Sequence, residues 1–193
     1  IDVQSKNITK VTDDKAILDY QVTKDEQTVY ALFGAVDKPG EIYSYNVNGS
    51  EYSQITYFNK KLIEETDIRP AEQMWVDGAE GNPVHVFIVK PHGYEENKKY
   101  PLIINVHGGP QMQWMDSFRG DWQVYPGSGY VVAFFNPHGS TGYGSAYTEA
   151  ISRDWGGKVY EDVMKVTEAL EKLAYIDSNS VGAMGWSYGG FMM

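Results

Sequence analysis

Ser180-Val181-Gly182-Ala183-Met184 runs without a spacer into Gly185-Trp186-Ser187-Tyr188-Gly189-Gly190, and the reading of this stretch decides the fold. The first five residues read as a buried strand, and the next five match G-x-S-x-G. In that pattern Ser occupies a strained strand-to-helix turn, whose small neighbours let the chain bend sharply without clashes. The strain turns the hydroxyl out of the top of the sheet, where a base can take its proton and a carbonyl can be attacked. Ser187 is therefore the candidate nucleophile.

Moving outward, Leu102-Ile103-Ile104-Asn105-Val106 and Gly129–Phe135 are short apolar runs bounded by Pro and Gly, the pattern of buried central strands. Between 158 and 174, Val159, Val163, Val166, Leu170 and Leu173 recur at helical spacing. Residues 72–77 and 83–90 read as a hairpin. Strand, helix, strand predicts an α/β sheet. Directly after the first buried run stands His107-Gly108-Gly109-Pro110. A serine hydrolase needs backbone N–H groups to meet the oxyanion, one from the residue after the nucleophile and one from a Gly-rich loop after an earlier strand. Gly109 and Tyr188 are the candidate oxyanion-hole pair.

All four histidines, His85, His92, His107 and His138, precede Ser187. A base-first order would let His107 serve as general base; the α/β-hydrolase order runs Ser, then Asp or Glu, then His. The elbow context favours the second order, which places the catalytic Asp and His beyond Met193. The chain is then expected to be the N-terminal part of a longer hydrolase, truncated after its elbow and inactive alone. His85 reads as a structural histidine. Asn136–Gly144 is Gly-rich but lacks the P-loop pattern, and reads as a loop shaping a wall of the cleft. Trp114, Phe118, Trp122 and Tyr125 suit either core or an apolar specificity pocket.

The first third differs. Period-two alternation predicts strands near 16–23, 29–36, 41–47 and 51–58, with turns at Asp37-Lys38-Pro39-Gly40 and Asn48-Gly49-Ser50. Four strands in a meander make one blade-sized sheet, and residues 59–70 read as a polar connector. The expected division is 1–70 as meander and linker and 71–193 as the N-terminal half of a hydrolase domain.

Composition narrows the function classes. A chain of 193 residues with 42% hydrophobic and 14% aromatic residues can build a core. Its net charge of −10 argues against nucleic acid or an anionic membrane as partner. The absence of cysteine excludes a thiol nucleophile and Cys-ligated metal, and H-E-x-x-H is absent, so no metal or cofactor is expected. Ile1–Ser5 lacks the pattern of a secretion signal; the chain reads as soluble, with its compartment and homo-oligomer formation open. Asn7-Ile8-Thr9 and Asn48-Gly49-Ser50 fit the glycosylation pattern, which is commonly accidental.

Four motifs in order, His107–Pro110, Asn136–Gly144, Asp154-Trp155-Gly156-Gly157-Lys158 and Gly185–Gly190, resemble the prolyl oligopeptidase family of serine peptidases, most closely the branch holding acylaminoacyl peptidases and dipeptidyl peptidase V. The resemblance implies a β-propeller stacked over an α/β-hydrolase domain, with residues 1–70 similar to the last blade and the return crossing. It implies Ser187 as nucleophile, Gly109 and Tyr188 as oxyanion hole, and oligopeptides cleaved near the N-terminus as substrates. His138 departs from it, since many relatives carry Arg there. A carboxylesterase and an inactive fragment acting in assembly are the alternatives.

Overall fold

The computed structural model describes residues 4–8, 16–47 and 52–193. The chain divides into two compact units, residues 1–68 with 116–118 and residues 69–115 with 119–193.

In the first unit, β1 (Ala16–Val22), β2 (Thr28–Ala35), β3 (Lys38–Asn46) and β4 (Tyr52–Gln54) pair consecutively and antiparallel. Alternation places Ala31 and Phe33 on one face of β2, where they bury with Tyr45. Tyr43 and Tyr45 hold their rings 5.3 and 5.1 Å from that of Phe33, a packed aromatic cluster rather than a general apolar face. The turn expected over Asp37–Gly40 is tighter in the structure: only Val36 and Asp37 turn, and β3 already begins at Lys38. Pro39 is tolerated there because the register breaks between Phe33 and Ala35, so the missing N–H falls in the irregularity. Asn48-Gly49-Ser50 and Thr9 lie outside the described residues.

The connector contains a helix, α1 (Lys60–Glu65). It buries no residue, so apolar periodicity gave no signal. Its surface carries two i,i+4 pairs, Lys60–Glu64 at 3.8 Å and Lys61–Glu65 at 3.9 Å.

The second unit holds β5 (Ala71–Asp77), β6 (Pro83–Val89), β7 (Tyr100–Val106), β8 (Val131–Asn136) and β9 (Ile176–Gly185). They form one sheet in the order β5-β6-β8-β7-β9, with β8, β7 and β9 parallel and β5 and β6 antiparallel. Every residue of β8 is buried, as a strand covered on both faces requires. Helices α2 (Asp121–Gly127), α3 (Ser145–Glu149), α4 (Lys158–Glu171) and α5 (Tyr188–Phe191) complete it. Val159, Val163, Val166 and Leu170 of α4 turn one stripe into the core, where Val84, Val86 and Ile104 of the sheet meet it. The strand expected at 180–184 lies within β9, which among the described residues pairs only with β7 and leaves most of Ser178–Ala183 exposed. Among the described residues no helix is long and apolar enough to cross a membrane.

Candidate active site

β9 ends at Gly185 and α5 starts at Tyr188, so Ser187 stands on the turn between strand and helix. Its backbone takes φ 56° and ψ −120°, a conformation costing about 1–3 kcal/mol for a residue with a side chain. The surroundings enforce it through close backbone contact. A Cβ on Gly189 would sit 2.0 Å from the Val106 carbonyl oxygen, and one on Gly185 would sit 2.3 Å from the Gly189 carbonyl carbon. Only glycine permits either approach. Trp186, the free position of the motif, is 86% exposed and constrains nothing.

The parallel pairing of β7 with β9 brings Val106 opposite Gly185, so His107–Pro110 leaves the sheet beside the elbow. A Cβ on Gly108 would lie 3.0 Å from the Trp186 carbonyl and 3.9 Å from Ser187 Oγ, so this loop runs against the serine. Gly109 has φ +113°. Neither its N–H nor that of Tyr188 donates to a protein acceptor among the described residues. The Tyr188 side chain is buried and donates its hydroxyl to the Trp155 carbonyl at 2.6 Å, which fixes the first turn of α5. Burial, with the Asp154 charge adding, pushes this phenol up to about 12, so it stays a donor.

A cavity of about 410 Å³ opens at this point, walled by Gly108, Gly109, Met112, Trp114, Met184 and Ser187 among others. The aromatic set divides. Trp122 is fully buried and stacks on Phe134 at 3.9 Å, a core residue, whereas Trp114 meets Trp122 edge-on at 5.1 Å and faces the cavity. Phe118 belongs to the other unit. The Arg119 guanidinium lies over Trp114 and Trp122 and forms a two-pronged bond to Asp121 at 3.0 and 2.9 Å. Its arginine–aromatic stacking had no periodic signature in the sequence.

Residues 136–144 lie outside the lining of this cavity and hold residues that do line it. Asn136 clasps the Trp114 backbone, accepting from its N–H at 2.7 Å and donating to its carbonyl at 2.9 Å. Ser140 Oγ lies 2.8 Å from His107 Nε2, and His107 Nδ1 lies 2.7 Å from the Gly108 carbonyl. The Ser140 hydroxyl donates to the Pro137 carbonyl at 2.6 Å, so its single proton is spent there while its oxygen meets Nε2. Both ring nitrogens are thereby engaged away from Ser187.

Burial depresses the His107 pKa, with the Gly108 bond opposing in part. The unfolded chain then binds a proton more readily, so this group's stabilisation is full above the ordinary value of about 6.5 and is lost as pH falls below it. The melting-temperature advantage of the parent over His107→Gln is expected to shrink from pH 8 to pH 5; a pH-independent difference would contradict the neutral, buried assignment.

The other histidines stand elsewhere. His85 bridges Tyr143 and Gln73 at 2.9 and 3.0 Å. His92 lies in the connection entering β7, at the sheet end opposite Ser187. His138 pairs with buried Asp162 of α4. Asp162 was not foreseen, because a charged residue on the core side of a helix breaks the pattern that reveals the helix. Among the described residues no cluster of three or more His, Asp or Glu could hold a metal ion.

Residues 116–193 match the prolyl oligopeptidase family. The chain is 38% identical over 174 residues to the uncharacterized peptidase YuxL of Bacillus subtilis, covering 90% of this chain and 26% of that protein. It is 42% identical over 156 residues to dipeptidyl-peptidase 5 of Schizosaccharomyces pombe, covering 76% and 23%. In structure it is similar to the acylaminoacyl peptidase of Pyrococcus horikoshii, with TM-score 0.84 and 22% identity over 94% of this chain and 28% of that one. The chain spans about a quarter of the length of these relatives. Ser187 on its strained turn thus lies within residues 116–193, the segment that matches the prolyl oligopeptidase family, in a chain similar to peptidases over most of its length.

Proposed function

We propose that this chain carries the nucleophile and oxyanion hole of a serine peptidase that cleaves oligopeptides near their N-terminus. The observation that carries the reading is Ser187 at positive φ with the Gly108–Gly109 backbone packed against it. In this reading Ser187 Oγ attacks the scissile carbonyl and forms an acyl-enzyme, which water then hydrolyses. The Gly109 and Tyr188 N–H groups, which donate to no protein acceptor among the described residues, receive the oxyanion. Their preorganisation matters because donors already aimed at the developing charge need no rearrangement during reaction.

The general base and its carboxylate partner come from outside these residues, since His107 spends both nitrogens on Gly108 and Ser140. Residues 1–70 act as a terminal propeller blade and linker, and 71–193 as the first part of the hydrolase domain. The dipeptidyl and acylaminoacyl names of the relatives favour a substrate class of short peptides with a free or acylated N-terminus.

The test is a panel of dipeptide and acyl-amino-acid anilides given to the full-length protein, with simple esters of the same acyl groups alongside. Anilide hydrolysis is expected; ester hydrolysis alone would favour a carboxylesterase. Gly109→Pro removes one donor and, because proline cannot adopt the φ of +113° found here, also displaces the loop, so kcat is expected to fall by about 10²–10³ or more. Circular dichroism melting verifies that the variant folds, and a folded variant with full kcat would refute the role of the loop.

A further inference from the structure

Asp162, on the core side of α4, accepts three hydrogen bonds. The Ala79 N–H reaches Oδ1 at 2.7 Å, and the His138 N–H and Nδ1 both reach Oδ2 at 2.7 Å. Accepting the Nδ1 proton fixes the orientation of the His138 ring and leaves Nε2 facing away from Asp162. His138 is 2% exposed, yet Nε2 has no protein partner among the described residues and is not sealed from solvent. The ring stacks on Tyr147 at 4.5 Å and lines a second cavity of about 570 Å³. That size suits a small ligand.

The remaining walls say what kind. Trp75, Tyr143, Tyr147, Ala146 and Ala150 present aromatic and apolar surface. The two phenol hydroxyls are spent: Tyr147 donates to the Asn136 carbonyl at 2.9 Å, and Tyr143 accepts from Asn136 Nδ2 at 2.8 Å while meeting His85 Nδ1 at 2.9 Å. Lys158 and Glu80, also on the cavity, neutralise each other at 3.0 Å, so the site has no net pull on an anion. Asn82 and Pro83 complete the lining, and the one buried polar atom left facing the aromatic walls is His138 Nε2, on a ring oriented by a buried carboxylate.

We propose that the His138–Asp162 cavity is a second binding site, separate from Ser187, that takes a phenol: the ring packs against Trp75 and Tyr147, and the hydroxyl donates to His138 Nε2. A tyrosine side chain and a free phenol share this chemistry.

Calorimetric titration of the full-length protein with p-cresol, toluene, p-toluate and N-acetyl-tyrosinamide tests it. Saturable p-cresol binding is expected, about tenfold tighter than toluene for the one hydrogen bond that differs, and tighter than p-toluate. N-acetyl-tyrosinamide binding as tightly as p-cresol would assign the site to a peptide's tyrosine; p-cresol alone would assign it to a small phenol. His138→Arg can still pair with Asp162 while filling the cavity and removing the acceptor, and is expected to abolish p-cresol binding. No saturable p-cresol binding, equal affinity for toluene, tighter p-toluate binding, or unchanged affinity in His138→Arg would each overturn the proposal. The comparison of probes on the parent protein does not depend on any variant folding.

Discussion

Ser187→Ala in the full-length protein is expected to lower kcat on a dipeptide anilide by about 10⁶, with KM nearly unchanged. The size follows from the mechanism: without the hydroxyl no acyl-enzyme forms, and what remains is the stabilisation given by oxyanion donors and substrate positioning. Ser187 also sits at positive φ, so the substitution leaves the backbone strain in place and alters neither burial nor any helix cap hydrogen bond. The melting temperature of Ser187→Ala should therefore stay close to that of the parent. A variant with a tenth or more of parental kcat would show that another residue does the chemistry.

Gly189→Ala should have the largest effect on folding. Its Cβ would meet the Val106 carbonyl oxygen at 2.0 Å, the Val106 carbonyl carbon at 2.9 Å and the His107 carbonyl oxygen at 3.0 Å. All three atoms are backbone, so no side-chain rotation relieves the clash; either α5 or the end of β7 must move. A destabilisation of about 4 kcal/mol or more is expected, the class of effect reserved for such steric conflicts. Activity should fall with it, because the same shift separates Ser187 from the Gly108–Gly109 backbone. Gly182→Ala, on β9 leading into the elbow, is the control. Its Cβ would have only the Leu102 carbonyl oxygen within reach, at 3.9 Å, and should be tolerated. Equal melting temperatures for the Gly189 and Gly182 variants would refute the close-approach account of the elbow.

The parts of this structure that were legible in the sequence share one property: their signal is local. Gly185–Gly189 announces a turn because the glycines are needed for contacts within a few residues and with one neighbouring strand. The run Leu102–Val106 reads as a strand because burial leaves it apolar but for Asn105. Helix α4 was legible from five apolar residues at helical spacing, the last of which, Leu173, falls just beyond its end. What was not legible depends on distant partners. Short α1 lies on the surface, where no apolar stripe is required. Asp162 is polar in a core position, and only the fold brings Ala79 and His138 to its carboxylate. The brace from Ser140 to His107 spans 33 residues, so the Gly-rich loop around Ser140 gave its flexibility but not its task.

The most direct measurement is covalent: the full-length protein is treated with a fluorophosphonate, digested, and the modified residue located by mass spectrometry. A single adduct on the hydroxyl of Ser187, absent from Ser187→Ala, is the predicted result, since a serine activated by a base and flanked by oxyanion donors reacts where ordinary serines do not. Labelling of another serine, or equal labelling of the parent and Ser187→Ala, would contradict the assignment of the nucleophile.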